Sequence, residues 1–191
     1  MTRPPAAPVL ITAFRPFGAW KINSSQQMLA HLNGPPHWHR LVLPVAHAPA
    51  RDQLYEALNR IKPRLCLLTG LANEPVLRLE TRARLPLGWR GSYLHSGDWP
   101  WHESQYALRS AGLPVRLSTD AGRYVCEATY WALLEFKSHF HFPNSAAFLH
   151  IPPIESGFDP SHVAKAVERM LHMRERAHLQ TGGSGRSGAA T

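Results

Sequence analysis

The chain has 191 residues, 44% of them apolar and 18% charged, with two cysteines and a formal net charge of +8. That length suits one domain with a sizeable core, and no apolar run approaches the ~20 residues that a bilayer crossing needs. Two cysteines exclude a disulfide framework. Lys and Arg are scattered, with Arg82, Arg84 and Arg90 the closest group, so neither nucleic acid nor membrane is the expected partner.

The first eight residues hold Pro4, Pro5 and Pro8 and do not read as a secretory leader, which makes a reducing cytoplasm the expected setting. Val9 to Phe14 is a short apolar run that gives way to Pro16 and Gly18, the pattern of a buried strand entering a loop. Ser24 to Leu32 reads as a helix capped by Ser24 or Ser25. Leu41 to Val45 is a second strand. Arg51 to Ile61 is amphipathic, with Leu54, Tyr55, Leu58 and Ile61 at helical spacing. Arg64 to Gly70 is continuously apolar, as a strand covered on both faces should be. Pro75 to Leu85 reads as extended, and Gly88 to Trp101, rich in Gly, Trp and Pro, as a long surface loop. Glu103 to Ser110 is a short helix and Leu113 to Leu117 a strand. Gly122 to Lys137 is the strongest helical pattern, and Ala147 to Ile151 the next strand. Pro160 to His178 is a long helix, with Asp159 or Ser161 as its cap and Pro160 suited to a first turn. The segment from Thr181 has linker composition and is expected to be flexible. The expected organisation is therefore one domain over residues 1–180 and a tail over 181–191.

Alternation of strand and helix predicts an α/β fold: a three-layer α/β/α domain around a mostly parallel sheet. In such folds functional groups collect at the carboxyl ends of strands. Phe14, Gly70 and His150 end predicted strands. Cys126 sits where a turn cluster becomes a helix. A thiol there feels the positive end of the helix dipole, which predicts a lowered pKa. With Glu80 closing another apolar stretch, a nucleophile, a base and an orienting acid are all present on separate segments. Cys66, inside the apolar strand, reads as core. The pairs His37/His39 and His139/His141 have one residue between imidazoles but no Cys, Asp or Glu beside them, so no metal is expected. Trp89, Tyr93, Trp99 and Trp101 read as a lid over a site or as an oligomer contact.

Four blocks in order resemble the pyroglutamyl peptidase I family of cysteine peptidases. Thr12-Ala13-Phe14-Arg15-Pro16-Phe17-Gly18, with Asn23 and Ser25 behind it, is similar to the family's Thr-Gly-Phe-x-Pro-Phe-Gly block. Gly70-Leu71-Ala72 through Leu79-Glu80 resembles the glycine-to-glutamate block. Ser118 through Cys126 resembles Ser-x-x-Ala-Gly-x-x-x-Cys, and Phe148-Leu149-His150-Ile151-Pro152 resembles Phe-Ile-His-Val-Pro. The match runs over roughly residues 9–175.

The resemblance implies removal of an N-terminal pyroglutamyl residue from peptides through an acyl-enzyme, with no cofactor or metal. It implies Cys126 as nucleophile, His150 as general base and acid, and Glu80 as the acid that orients the imidazole. It implies Arg90 as an oxyanion group, beside the Cys126 backbone N–H that the helix start itself offers, and Phe14 and Phe17 as the pocket for the lactam ring, with Leu71 and Val125 the other substrate-binding candidates. The expected assembly is a homodimer or homotetramer. The chain departs from the family pattern at Ala13 (usually Gly), Leu71 (often Gln), Glu127 (usually Asn) and Thr81 to Leu85, which lacks the usual Asn. The departures at Leu71, Leu85 and Glu127 motivate a second expectation: an altered or inactive member that binds a small lactam or a peptide N-terminus.

Overall fold

A computed structural model of the chain describes residues 6–181. Six strands and three helices come first in the order β1 (Val9–Phe14), α1 (Ser24–His31), β2 (Trp38–Leu43), α2 (His47–Ile61), β3 (Leu65–Leu71), β4 (Leu77–Glu80), β5 (Arg82–Arg84), then β6 (Leu94–Ser96) and α3 (Trp101–Ser110). β7 (Val115–Ser118), α4 (Val125–Phe140), β8 (Ser145–Ile151) and α5 (Pro160–Thr181) complete the order.

Six strands form one sheet in the order β2-β1-β3-β8-β4-β7, and β5 and β6 form a separate antiparallel ribbon. β2, β1, β3 and β8 run parallel. β4 runs antiparallel to β8 and parallel to β7. The sheet is thus mostly parallel, as the alternating pattern predicts, with one reversal. The link between Leu71 and Leu77 is too short to carry the helical crossover that a parallel return needs, so the chain folds back antiparallel on the far side of β8.

β3 and β8 are buried at every position, the state of a strand covered on both faces. The two-residue period of a strand sorts their side chains. Leu65, Leu67, Leu149 and Ile151 enter a core with α1, α3 and α5. Cys66, Leu68, Ala146 and Phe148 enter a second core with α2 and α4. This is the expected three-layer α/β/α arrangement. Cys66 is core, as its strand pattern implies.

Several local expectations are corrected. The α1 cap is Asn23, whose Oδ1 accepts from the Ser25 N–H at 3.0 Å. β2 begins at Trp38 because the preceding turn is anchored by His37, whose Nε2 bonds Glu175 at 2.7 Å. α2 starts at His47. The stretch read as a loop over 88–101 contains β6, and Trp99 is core, its Nε1 donating to Ser104 Oγ at 2.8 Å. α4 begins at Val125 because Gly122 has φ +92° and Tyr124 is extended. At α5, of the two caps expected, it is Asp159 that accepts from the Ser161 N–H, at 2.9 Å. Of the tail expected over 181–191, Thr181 is the last residue of α5 and the rest lies outside the described residues. No helix among the described residues is long and apolar enough to cross a membrane.

Candidate active site

The side chains that carry chemistry gather on the α2/α4 face of the sheet, where β3, β8 and β4 lie side by side. In register, Gly70 pairs with His150, His150 with Arg78, and Phe148 with Glu80. Gly70, Phe148, His150, Arg78 and Glu80 therefore share one face. The α4 start lies over them. The position a Gly70 Cβ would take is 3.0 Å from Cys126 Sγ and 2.9 Å from Phe148 Cζ. Glycine is what lets the thiol come down onto the sheet at the strand pair that also holds the imidazole.

His150 is buried, and its Nδ1 stands 2.8 Å from Glu80 Oε1. The carboxylate only accepts, so Nδ1 carries the proton and Nε2 is the nitrogen free for exchange. Beneath the imidazole lies the Phe148 ring, centroids 4.7 Å apart, and beneath that Tyr130 of α4 at 5.7 Å. Packing from below and a carboxylate at the side leave the ring one orientation. Glu80 is fully buried and meets Arg78 Nε at 3.0 Å.

Burial dominates both titrations. Desolvation lowers the His150 pKa, against the opposing pull of Glu80. Desolvation, then the Glu80 charge, pushes the Cys126 thiol up to about 12, with Arg78 and the residue's own backbone acting the other way. The lowering expected from the helix dipole is overturned, because a partial charge at a helix end is outweighed by loss of water. The resting pair is a neutral thiol and a neutral imidazole.

Tyr124 occupies the N-cap of α4 without a side-chain acceptor for the first-turn N–H groups. Those groups, Cys126 N–H among them, have no i−4 carbonyl within the helix, and the Cys126 N–H acts on its own sulfur.

A model of the family described as pyroglutamyl peptidase matches residues 92–170. The pyrrolidone-carboxylate peptidase of Yersinia pestis (strain Pestoides F) is 30% identical over 199 aligned residues, covering 90% of this chain and 93% of that protein. The chain belongs to the pyroglutamyl peptidase family. The family's enzyme from Pyrococcus furiosus is 27% identical over 170 residues, covering 76% of this chain and 81% of its own. Among solved structures, pyrrolidone carboxyl peptidase from Thermococcus litoralis superposes with a TM-score of 0.80 at 23% identity, covering 96% of this chain and 100% of that one. Family membership makes the chain a peptidase, a hydrolase.

The four family blocks occupy different places around this site. The first block forms the β1–α1 loop. The Phe14 N–H donates to Ser25 Oγ at 3.3 Å and Asn23 Nδ2 donates to Arg15 O at 3.1 Å, which fixes the loop's course. Phe14 is core at 1% exposure, while Phe17 is half-buried with its ring 6.5 Å from Tyr124. Leu71 and Val125 are buried. Of the four residues expected at the substrate, Phe17 alone presents open ring surface. Tyr124, exposed and facing it, went unnoticed in the sequence; its place two residues before Cys126 was the available signal.

Arg90 is not brought to this group. Residues 82–96 form the β5–β6 ribbon, closed by Leu85 N–H on Tyr93 O at 2.8 Å and pinned by Trp131 Nε1 on Ser92 O at 2.9 Å. That carries Arg90 to the outer face of α4, where it is exposed and lines a cavity of about 680 Å3 with Arg51, Tyr55, Trp89 and Trp131. The arginine beside the imidazole is Arg78, which sequence reasoning passed over as one charge in an apolar stretch.

Proposed function

We propose that the chain removes an N-terminal pyroglutamyl residue from peptides, with Cys126 as nucleophile, His150 as general base and acid, and Glu80 as the orienting carboxylate. The observation that carries this is the 2.8 Å contact of His150 Nδ1 with Glu80 Oε1, on the strand pair that also seats Cys126. Family membership supplies the substrate class.

The proton path follows from the resting state. With both groups neutral, His150 Nε2 takes the thiol proton as the sulfur attacks the carbonyl carbon of the pyroglutamyl residue. The imidazolium is steadied by Glu80. The carbonyl oxygen becomes an oxyanion, which the first-turn N–H groups of α4, left without a side-chain cap, receive. As the C–N bond breaks, the imidazolium gives its proton to the leaving amine. Water, deprotonated by the same nitrogen, then attacks the thioester, releasing pyroglutamate and restoring the thiol. The lactam ring is small, flat and uncharged, which suits the Phe17 and Tyr124 rings better than an ion pair. A cavity of about 460 Å3 beyond Tyr124, lined by His47, Tyr93 and Arg123, gives room for the peptide that leaves. Two free cysteines suit a reducing cytoplasm.

A second reading, a member that binds without cutting, is favoured by the departures from the family pattern at Leu71, Leu85 and Glu127. One assay separates them: cleavage of a pyroglutamyl-linked chromogenic amide under reducing conditions, wild type against Cys126→Ala. Cleavage by the wild type and its loss in the variant support the peptidase; silence in both supports the binder.

A further inference from the structure

Arg78 stands opposite His150 in the antiparallel pairing of β4 with β8. Its side chain is 11% exposed and reaches three partners. Nε lies 3.0 Å from Glu80 Oε1, Nη2 lies 3.3 Å from His150 Nδ1, and Nη1 is paired with Glu74 in the link before β4. Glu74 is held in turn by Arg116 of β7, Nη2 to Oε2 at 2.6 Å. Arg116, Glu74, Arg78 and Glu80 form a chain of alternating charge that ends on one imidazole nitrogen.

Nδ1 offers either one proton or one lone pair. The Glu80 carboxylate at the shorter distance can only accept, so the proton is on Nδ1 and the Arg78 guanidinium cannot also donate there. The Arg78 contact with the ring is therefore a contact of charge, and it opposes imidazolium. Glu80 Oε2 is buried with no hydrogen-bond partner among the described residues. Without Arg78, a fully buried carboxylate would be left to satisfy itself by drawing a second proton onto His150.

We infer that Arg78 is a positioning residue for the Glu80–His150 pair: it fixes the carboxylate on Nδ1 and keeps the imidazole unprotonated between turnovers. The inference rests on the reading of His150 as the base. The charged groups around that ring are Glu80 and Arg78 from β4 and Glu74 from the link before it; the Cys126 thiol, at the start of α4, packs over Gly70, the strand partner of His150.

The test is a titration of the His150 imidazole by NMR, beside the pH profile of hydrolysis, in Arg78→Met and Arg78→Lys. In Arg78→Met the imidazole titrates about one pH unit higher than in wild type. The acid limb of kcat/KM moves up with it, and kcat falls about ten-fold with KM nearly unchanged. Arg78→Lys returns the acid limb toward wild type but not the full kcat, since one ammonium cannot bridge both carboxylates. An imidazole that titrates in folded Arg78→Met where it does in wild type overturns the inference. Should that variant not fold, Glu74→Gln takes its place. It removes a carboxylate and keeps the guanidinium, so the imidazole titrates lower, and no shift or a rise overturns the inference. The NMR titration needs no substrate. A wild type that cleaves no pyroglutamyl amide defeats the reading of function, and an unmoved imidazole defeats the role of Arg78.

Discussion

Glu127 gives its carboxylate to Arg84, not to the thiol one residue before it. Its Oε1 accepts from the Arg84 backbone N–H at 3.2 Å and from Arg84 Nε at 2.9 Å. Adjacent helical residues diverge by about 100°, so Cys126 faces the sheet while Glu127 faces the β5–β6 ribbon. The carboxylate that weighs on the sulfur is Glu80. The departure from the family's usual Asn is thus answered by Arg84, which also pairs with Asp120.

Arg84→Met would strand the buried Glu127 carboxylate and cost about 1–3 kcal/mol of stability. Glu127→Gln would cost less, because its amide oxygen still accepts from the Arg84 N–H. Urea melts of the two variants should rank in that order, with Arg84→Met the less stable.

The raised thiol predicts sluggish alkylation. At pH 8, Cys126 in the free protein should react with iodoacetamide more slowly than free cysteine, whose pKa is about 8.5. A rate above that of free cysteine would mean that the helix dipole prevails over burial.

The lowered imidazole sets a second pH dependence. His150 must be neutral to act as base, so the acid limb of kcat/KM should lie below the ordinary histidine value of about 6.5. The stability linkage has the same origin. Because the folded pKa is below the unfolded one, His150's contribution is complete above about pH 6.5 and is lost as pH falls from there toward the folded value. Denaturant midpoints should decline across that window, and His150→Gln should flatten the decline.

Gly70→Ala places a methyl 2.9 Å from Phe148 Cζ and 3.0 Å from Cys126 Sγ. Both are inside ordinary contact. The helix start or the ring must shift, at a cost of about 1–3 kcal/mol. Activity should fall further than stability does, because the sulfur is what moves. Melting curves and rates on the same preparation test this.

Much of this was legible in the sequence. Apolar runs at residues 64–70 and 147–151 announce the buried strands β3 and β8, and helical spacing over 51–61 announces most of α2. The placement of Cys126, His150 and Glu80 on separate segments follows from motif order. What was not legible is tertiary. The reversal of β4, which sets Arg78 against His150, depends on a link too short for a crossover. The path of Arg90 depends on the β5–β6 ribbon lying on α4. Tyr124 stands two residues before Cys126, but its ring contact with Phe17 joins residues from distant blocks and only the fold shows it. The sign of the Cys126 shift required the burial that the sheet and Gly70 impose.

The central claim is that Cys126, primed by His150 and Glu80, cuts a pyroglutamyl amide. Its most direct test is the initial rate of release of a chromogenic amine from a pyroglutamyl-linked substrate under reducing conditions, for wild type and Cys126→Ala. The account predicts turnover by the wild type and none above background in a folded Cys126→Ala. A silent wild type, or a Cys126→Ala variant that cleaves as fast as the wild type, would contradict it.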